Sequence, residues 1–234
     1  DLDGQSYIVE VAANDGYLLQ YVKARGIPCL GIEPTTSTAD AARKKGIEII
    51  EDFFGVELAN KMVEQGQQAD LTAANNVLAH VPDINDFVGG FAALLKPTGV
   101  STFEFPHLLQ LVSENQFDTI YHEHYSYLSL TAVKKIFESN GLSVFDVEIL
   151  PTHGGSLRVY AQRIDTGSHK TSDNVIKILD QEKSAGMNSV DFYAGFQAKA
   201  DRVKNDFLSF LLEAKLTGKT VAGYGAAAKG NTLM

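Results

Sequence analysis

Short apolar runs alternate with segments of 3.6-residue periodicity up to about residue 141, and this alternation constrains the fold more than any other feature of the chain. The apolar runs fall at 7–12, 28–33, 47–50, 69–74 and 100–105, and helical patterns lie between them at 17–25, 37–45, 56–65 and 84–95. In the first helical segment Leu18, Leu19 and Val22 share a face, with Gln20 and Lys23 off it. Strands alternating with helices require a parallel sheet with right-handed crossovers. The pattern changes at Leu142. Residues 142–150 and 156–163 are both strand-like, with only Pro151-Thr152-His153-Gly154-Gly155 between them, so the two must pair antiparallel. The expected fold is therefore α/β: a seven-stranded, mostly parallel, Rossmann-like sheet with a terminal antiparallel hairpin, the layout of class I methyltransferases. Two helices are expected over 172–216, where Val203, Phe207, Phe210 and Leu211 form an apolar stripe that suits a core or a domain junction. A further strand is expected at 220–225. The expected divisions are a cofactor domain over 1–165, a helical connector over 166–218, and the start of a second α/β domain over 219–234.

A net charge of −9 disfavours nucleic acid and anionic membrane as partners. The single cysteine, Cys29, excludes a disulfide framework and a cysteine-based zinc site within these residues. No apolar run approaches a membrane span and the start carries no targeting pattern, so a cytoplasmic setting is expected. Both ends are expected to be cut edges of a longer protein. Asp1-Leu2-Asp3-Gly4 leads at once into a strand, and the chain stops just after a glycine-rich turn.

The strand ends carry polar residues in an informative order. Glu10-Val11-Ala12-Ala13-Asn14-Asp15-Gly16 closes the first strand and opens the first helix, where backbone can approach a ligand. Glu33, followed by Pro34, ends the second strand seventeen positions after Gly16, placed to accept hydrogen bonds from ribose hydroxyls. Asp52 and Phe53 follow the third strand, where an adenine would be hydrogen-bonded and stacked. Asn75 and Asn76 close the fourth strand beside the expected switch point of the sheet. Ala12 and Ala13 stand where a pyrophosphate fingerprint would have glycine, which favours S-adenosylmethionine over NAD or FAD.

Residues 117–128, Phe-Asp-Thr-Ile-Tyr-His-Glu-His-Tyr-Ser-Tyr-Leu, concentrate acid–base groups. Histidine exchanges protons near neutral pH, a nearby carboxylate can fix its tautomer, and tyrosine can hydrogen-bond a developing oxyanion. Metal ligation and a polar loop with satisfied histidines are the competing readings of such a run.

Together, Glu10–Gly16, Ala74–Asp83, Glu104-Phe105-Pro106-His107, Phe117–His124, Thr152–Ser156 and Gly223–Leu233 resemble the sugar C-methyltransferase family, whose members make branched deoxysugars. The match spans nearly the whole chain. The resemblance implies an N-terminal zinc-binding module, a central methyltransferase domain and a C-terminal domain that helps hold a nucleotide sugar. The zinc module is expected to lie outside these residues, any zinc would belong to it, and no metal is expected within them. The resemblance also implies that His124 is the base, with Tyr121 and Glu123 orienting it or contacting the sugar, and that His122 is structural. His80 is implied to pack or hydrogen-bond near the cofactor. Glu104, His107, Asp118, His153, Ser156, Arg158, Tyr224 and Lys229 are implied on the substrate side, with Arg158 and Lys229 suited to phosphate. The first-strand motif departs from the family's usual Gly-Ser-Asn-Asp-Gly. A relaxed backbone at Ala12 needs a negative φ, so a slightly altered turn is expected there.

The expected activity is S-adenosylmethionine-dependent C-methylation of a nucleotide-activated keto-deoxysugar. In it a histidine removes the proton beside the ketone and the enolate accepts the methyl group. A methyltransferase acting at oxygen or nitrogen, an NAD-dependent oxidoreductase and a cofactor-binding domain without activity are the competing readings.

Overall fold

The computed structural model describes residues 2–224 and Gly230. Its centre is a seven-stranded sheet in the order β3-β2-β1-β4-β5-β7-β6. The strands are β1 (Ile8–Val11), β2 (Cys29–Ile32), β3 (Glu48–Ile50), β4 (Ala69–Asn75), β5 (Leu95–Pro106), β6 (Leu142–Leu150) and β7 (Ser156–Arg163). The first five are parallel, and β7 pairs antiparallel with both β5 and β6. β5 begins at Leu95, five residues before the apolar run, because Leu95 pairs with Ala69 ahead of a register shift and Val100 resumes the ladder opposite Leu71.

Alternation along β1 sorts the two cores. Val9 and Val11 face one side, where α3 (Val56–Glu64), α4 (Ile84–Leu94) and α6 (Leu130–Ser139) bury Met62, Phe87, Phe91, Leu130, Val133 and Phe137. Phe91, Phe103 and Phe137 pack in series, edge to face and then tilted, with ring centroids 4.7 Å apart at each step. Ile8 faces the other side, packed with Leu19 of α1 (Leu19–Ala24) and Ala39 and Ala42 of α2 (Thr36–Lys44). Small residues on α2 let that helix lie close to the sheet.

Two helices escaped the sequence pattern. α5 (Leu108–Ser113) has six residues, too few to display a period. α6 did carry a signal: Ser129 caps it by accepting from the Ala132 amide, and Leu130, Val133 and Phe137 recur on one face. α7 (Asp173–Ser184) and α8 (Phe196–Leu216) occupy the region expected to be two helices. The stripe on α8 does not enter the core, however. Phe210 is 56% exposed, Val203 is exposed, and Ala214 is the buried residue of that helix. The strand expected at 220–225 is not found at 220–224, which pair with no strand among the described residues. A strand exists only as part of a ladder, and the sheet ends at β3 and β6. Gly225 lies outside the described residues.

Candidate active site

The order of strands places the switch point of the sheet between β1 and β4, whose crossovers leave in opposite directions. The turn after β1 is unusual. Ala12, Asn14 and Gly16 all have positive φ, at 58°, 54° and 74°. The altered, relaxed turn expected at Ala12 is therefore corrected: alanine holds the left-handed conformation that glycine would adopt without cost, a strain of about 1–2 kcal/mol. The turn is held because the Ala13 amide donates to the Ile32 carbonyl at 3.1 Å and the Asn14 amide to Glu33 Oε2 at 3.2 Å. Gly16 is required, since a Cβ there would meet Ile47 at 3.0 Å in addition to the backbone strain.

Glu33 is buried, and its other oxygen accepts from the Thr35 amide at 2.9 Å. Its carboxylate thus ties the turn after β1 to the turn after β2. Pro34, Asp52 and Phe53 are exposed, and Phe53 is 80% so. Asp52 accepts from the Phe53 amide.

Glu10 and Asn76 flank the switch point from its two sides. Glu10 sits on β1 beside Ala73 of β4, and Asn76 follows the last residue of β4 with φ 55°. Among the described residues, the buried atoms Glu10 Oε2 and Asn76 Oδ1 have no hydrogen-bond partner. Burial, and then the charge of Asp15, pushes the Glu10 carboxyl up to about 8. Orphaned buried polar atoms are costly, and two of them beside a ligand crevice mark where a polar ligand would bind. The donor set also fits: acceptors at Glu10 and Asn76 for an ammonium group, a carboxylate at Glu33 for hydroxyls, and an exposed ring at Phe53 for a flat heterocycle.

From Asn76 a short 3₁₀ turn, Leu78–His80, leads to the acid–base cluster. The Tyr125 amide donates to the Ala79 carbonyl at 2.8 Å, which pins the 117–128 loop over this turn. The His80 and His124 rings meet edge to face with centroids 4.6 Å apart. Tyr121 lies against His124 at 4.4 Å, and Tyr127 stands 6.0 Å away. His124 Nδ1 is 2.8 Å from the Thr119 carbonyl oxygen, which can only accept. The contact therefore needs a proton on Nδ1. Burial, with the Glu123 charge second, raises the Tyr121 hydroxyl above its ordinary value and keeps it a donor.

Several expectations on this side change. His124 is held by a main-chain carbonyl and lies against Tyr121, and Glu123 is exposed. His122 is exposed as well, so it does not serve the core. His107 is 3% exposed and 2.8 Å from the buried Glu182 carboxylate, which removes it from the substrate side. Ser156 is fully buried and donates to the Thr152 carbonyl, closing the hairpin turn. Arg158 is committed to Glu104, at 2.8 Å from Oε2, and Thr152 Oγ1 donates to Oε1 of the same buried carboxylate. Those two residues, paired across β5 and β7, therefore form a structural pair and do not present a free cation for phosphate. Tyr224 is fully exposed. Asp118 is half-buried in the 3₁₀ turn Phe117–Thr119, and His153 is exposed with φ 52°. Lys229 lies outside the described residues. The residues that sequence reasoning missed are Thr119, which acts through its main chain and so leaves no side-chain signal, and Glu182, 75 positions from the histidine it holds.

Among the described residues no group of three or more His, Cys, Asp and Glu side chains is arranged to hold a metal ion. No helix among them is long and apolar enough to cross a membrane.

Residues 2–147 match a family described as a methyltransferase domain, and residues 151–234 match a family described as a C-methyltransferase C-terminal domain. The two matches meet at the end of β6, although the sheet continues through β7. The chain is 36% identical over 227 residues to the C-methyltransferase NovU of Streptomyces niveus, covering 97% of this chain and 54% of that protein. It thus spans about half the length of that relative. A ubiquinone biosynthesis O-methyltransferase of Actinobacillus pleuropneumoniae is 31% identical over 106 residues, 41% of this chain and 44% of its own. Among solved structures, magnesium protoporphyrin IX methyltransferase from Synechocystis, with bound SAH, superposes with a TM-score of 0.53 at 16% identity, over 68% of this chain and 74% of that one. An S-adenosylmethionine-dependent methyltransferase from Mesorhizobium loti superposes with a TM-score of 0.52 at 14% identity, over 68% and 91%. At these identities the shared property is the fold.

Proposed function

The chain belongs to the methyltransferase-domain family, and from that premise we propose that it is the core of an S-adenosylmethionine-dependent C-methyltransferase acting on a nucleotide-activated keto-deoxysugar. The observation that carries the reading is the fixed tautomer of His124. Its Nδ1–H is held by the Thr119 carbonyl at 2.8 Å, so the imidazole is held in a cluster joined to the ligand crevice through His80. A methyl acceptor at oxygen or nitrogen already carries a lone pair, whereas an acceptor carbon must first lose a proton. A positioned imidazole is what that proton loss needs. Likeness to a C-methyltransferase over 97% of the chain supports the same chemistry.

In this reading Glu10, Ala12, Asn14, Gly16, Glu33, Pro34, Asp52, Phe53, Asn75 and Asn76 line the cofactor crevice, with His80 at its inner end. When bound, S-adenosylmethionine supplies an electrophilic methyl group that the acceptor carbon takes. His124 Nε2 removes the proton from the carbon beside the ketone. The C–H bond breaks, an N–H bond forms, and the electron pair is delocalised onto the ketone oxygen. The Tyr121 hydroxyl donates a hydrogen bond to that oxygen as charge builds on it. Asp118 and His153, on the loop and the hairpin turn, face the sugar.

The test is product analysis with the full-length protein, methyl-labelled S-adenosylmethionine and a 4-keto-deoxysugar nucleotide. A labelled methyl bonded to carbon is expected. A methyl found on oxygen or nitrogen overturns the reading.

A further inference from the structure

Glu182 of α7 is 1% exposed and is among the most completely satisfied carboxylates in the protein. Oε1 accepts from the Leu130 amide at 2.6 Å and lies 2.8 Å from His107 Nε2. Oε2 accepts from the Thr131 amide at 2.8 Å and the Thr131 hydroxyl at 2.6 Å. Burial alone would raise this carboxyl, but the hydrogen bonds from His107, Thr131 and Leu130 outweigh it and hold it below its ordinary value. A buried carboxylate is tolerated only when its acceptor sites are filled in this way.

What Glu182 joins gives it a role. His107 is the residue before α5, at the start of the segment that carries Tyr121 and His124. Leu130 and Thr131 open α6, at the end of that segment. One carboxylate therefore grips both stems of the 108–128 excursion. The stems are also zipped to each other, since the Leu108 amide donates to the Leu128 carbonyl at 2.9 Å. The His107 amide donates to the Gly155 carbonyl at 3.0 Å, so the same point fixes the hairpin turn. A helix N-terminus favours a carboxylate, which adds to the grip on α6.

We propose that Glu182 is a positioning residue: it holds the stems of the acid–base loop together and so keeps His124 seated on the Thr119 carbonyl. It touches neither cofactor nor acceptor. Because it lies on α7, beyond the sheet, it makes the connector a working part of the active site. The consequence for turnover rests on His124 being the base, whereas the consequence for the His124 ring does not.

The test uses the full chain labelled with ¹⁵N-histidine, the His124 resonances being assigned by their loss in His124→Asn. In the wild type the nitrogen shifts of His124 should report a proton on Nδ1. In Glu182→Gln the amide group meets donors in place of an acceptor, and the shifts should move to a mixture of tautomers. S-adenosylmethionine affinity should stay within about twofold, and kcat should fall about 10–100-fold, as for a slightly misplaced catalytic group. His107→Gln keeps a donor for Glu182 and should behave as wild type, whereas His107→Leu should resemble Glu182→Gln. That pair decides the matter if Glu182→Gln does not fold. A folded Glu182→Gln with wild-type His124 shifts, or a His107→Gln no better than His107→Leu, overturns the proposal. A shifted tautomer with kcat unchanged leaves the clamp standing and overturns its catalytic consequence, and with it His124 as the base.

Discussion

His124 Nδ1 lies 2.8 Å from the carbonyl oxygen of Thr119, five residues earlier in the same loop. A carbonyl has no proton to give, so this contact needs the proton on Nδ1.

His124→Asn in the full-length enzyme should retain S-adenosylmethionine binding and lose turnover by about 10²–10⁴-fold, the usual cost of removing a general base. Exchange of solvent deuterium into the acceptor carbon, followed without a methyl donor, isolates the step. Exchange as fast as in the wild type would move the base elsewhere, with Tyr121 the next candidate.

The Glu10 carboxyl has an ordinary value of 4.5 and is pushed up to about 8 in the folded protein, by burial first and Asp15 second. The folded state thus holds a proton that the unfolded state has released between these values, and stability must fall with rising pH across that window. The stabilisation is complete below about pH 4.5 and lost above about pH 8, with an amplitude of at most about 5 kcal/mol. Glu10→Gln should remove this slope and be the more stable protein at pH 8.5. Parallel stability curves for the two proteins, from denaturant midpoints at pH 5–9, would refute the assignment. A cofactor ammonium group binding at Glu10 should also release a proton near pH 7, seen as a buffer-dependent heat of binding.

How much of this was legible in the sequence depended on the range of each interaction. The antiparallel hairpin followed from two strands with five residues between them, which leaves one way to pair. The positions of Glu33 and Phe53 at strand ends were legible because alternating strands and helices bring successive strand ends to one edge. His107 was misread because nothing in its neighbourhood reveals a partner 75 residues away. Ser156 was misread for a related reason: a hydroxyl that closes its own turn looks the same in sequence as one that faces a ligand. At Ala12 the departure from glycine was visible, but only the backbone shows that the turn keeps its shape and alanine takes the strain.

Phe53 is 80% exposed just beyond β3, so its ring is open to stacking by a ligand. Phe53→Ala should leave folding stability within about 0.5 kcal/mol, because little packing is lost. It should weaken S-adenosylmethionine binding by about 0.5–1.5 kcal/mol through lost stacking. Calorimetry showing unchanged affinity would exclude Phe53 from the adenine site.

Arg158 separates a structural from a phosphate-binding role. Its guanidinium is 2.8 Å from Glu104 Oε2, and Glu104 is buried. Arg158→Met leaves that carboxylate with the Thr152 hydroxyl and without its cation, at a cost of about 1–3 kcal/mol in stability. Arg158→Met with Glu104→Gln should recover part of the loss, since no buried charge is then left unpaired. Full stability in the single variant, together with a selective loss of nucleotide-sugar affinity, would restore the phosphate role.

Ala12→Gly tests the turn at the switch point. Alanine at φ 58° bears a left-handed strain of about 1–2 kcal/mol that glycine does not. Glycine also gives the unfolded chain more freedom, which offsets about 0.4–1 kcal/mol of the gain. The net expectation is a protein more stable by about 0.5–1 kcal/mol. The hydrogen bonds that hold the turn involve the amides of Ala13 and Asn14 and not the Ala12 side chain, so its geometry should persist. Cofactor affinity should accordingly stay within about twofold, read by calorimetry beside the denaturant midpoint. A less stable glycine variant would mean that the Ala12 methyl contributes packing worth more than its strain. A more stable variant with weakened binding would mean that the rigidity of alanine, kept at the cost of strain, pre-organises the crevice for its ligand.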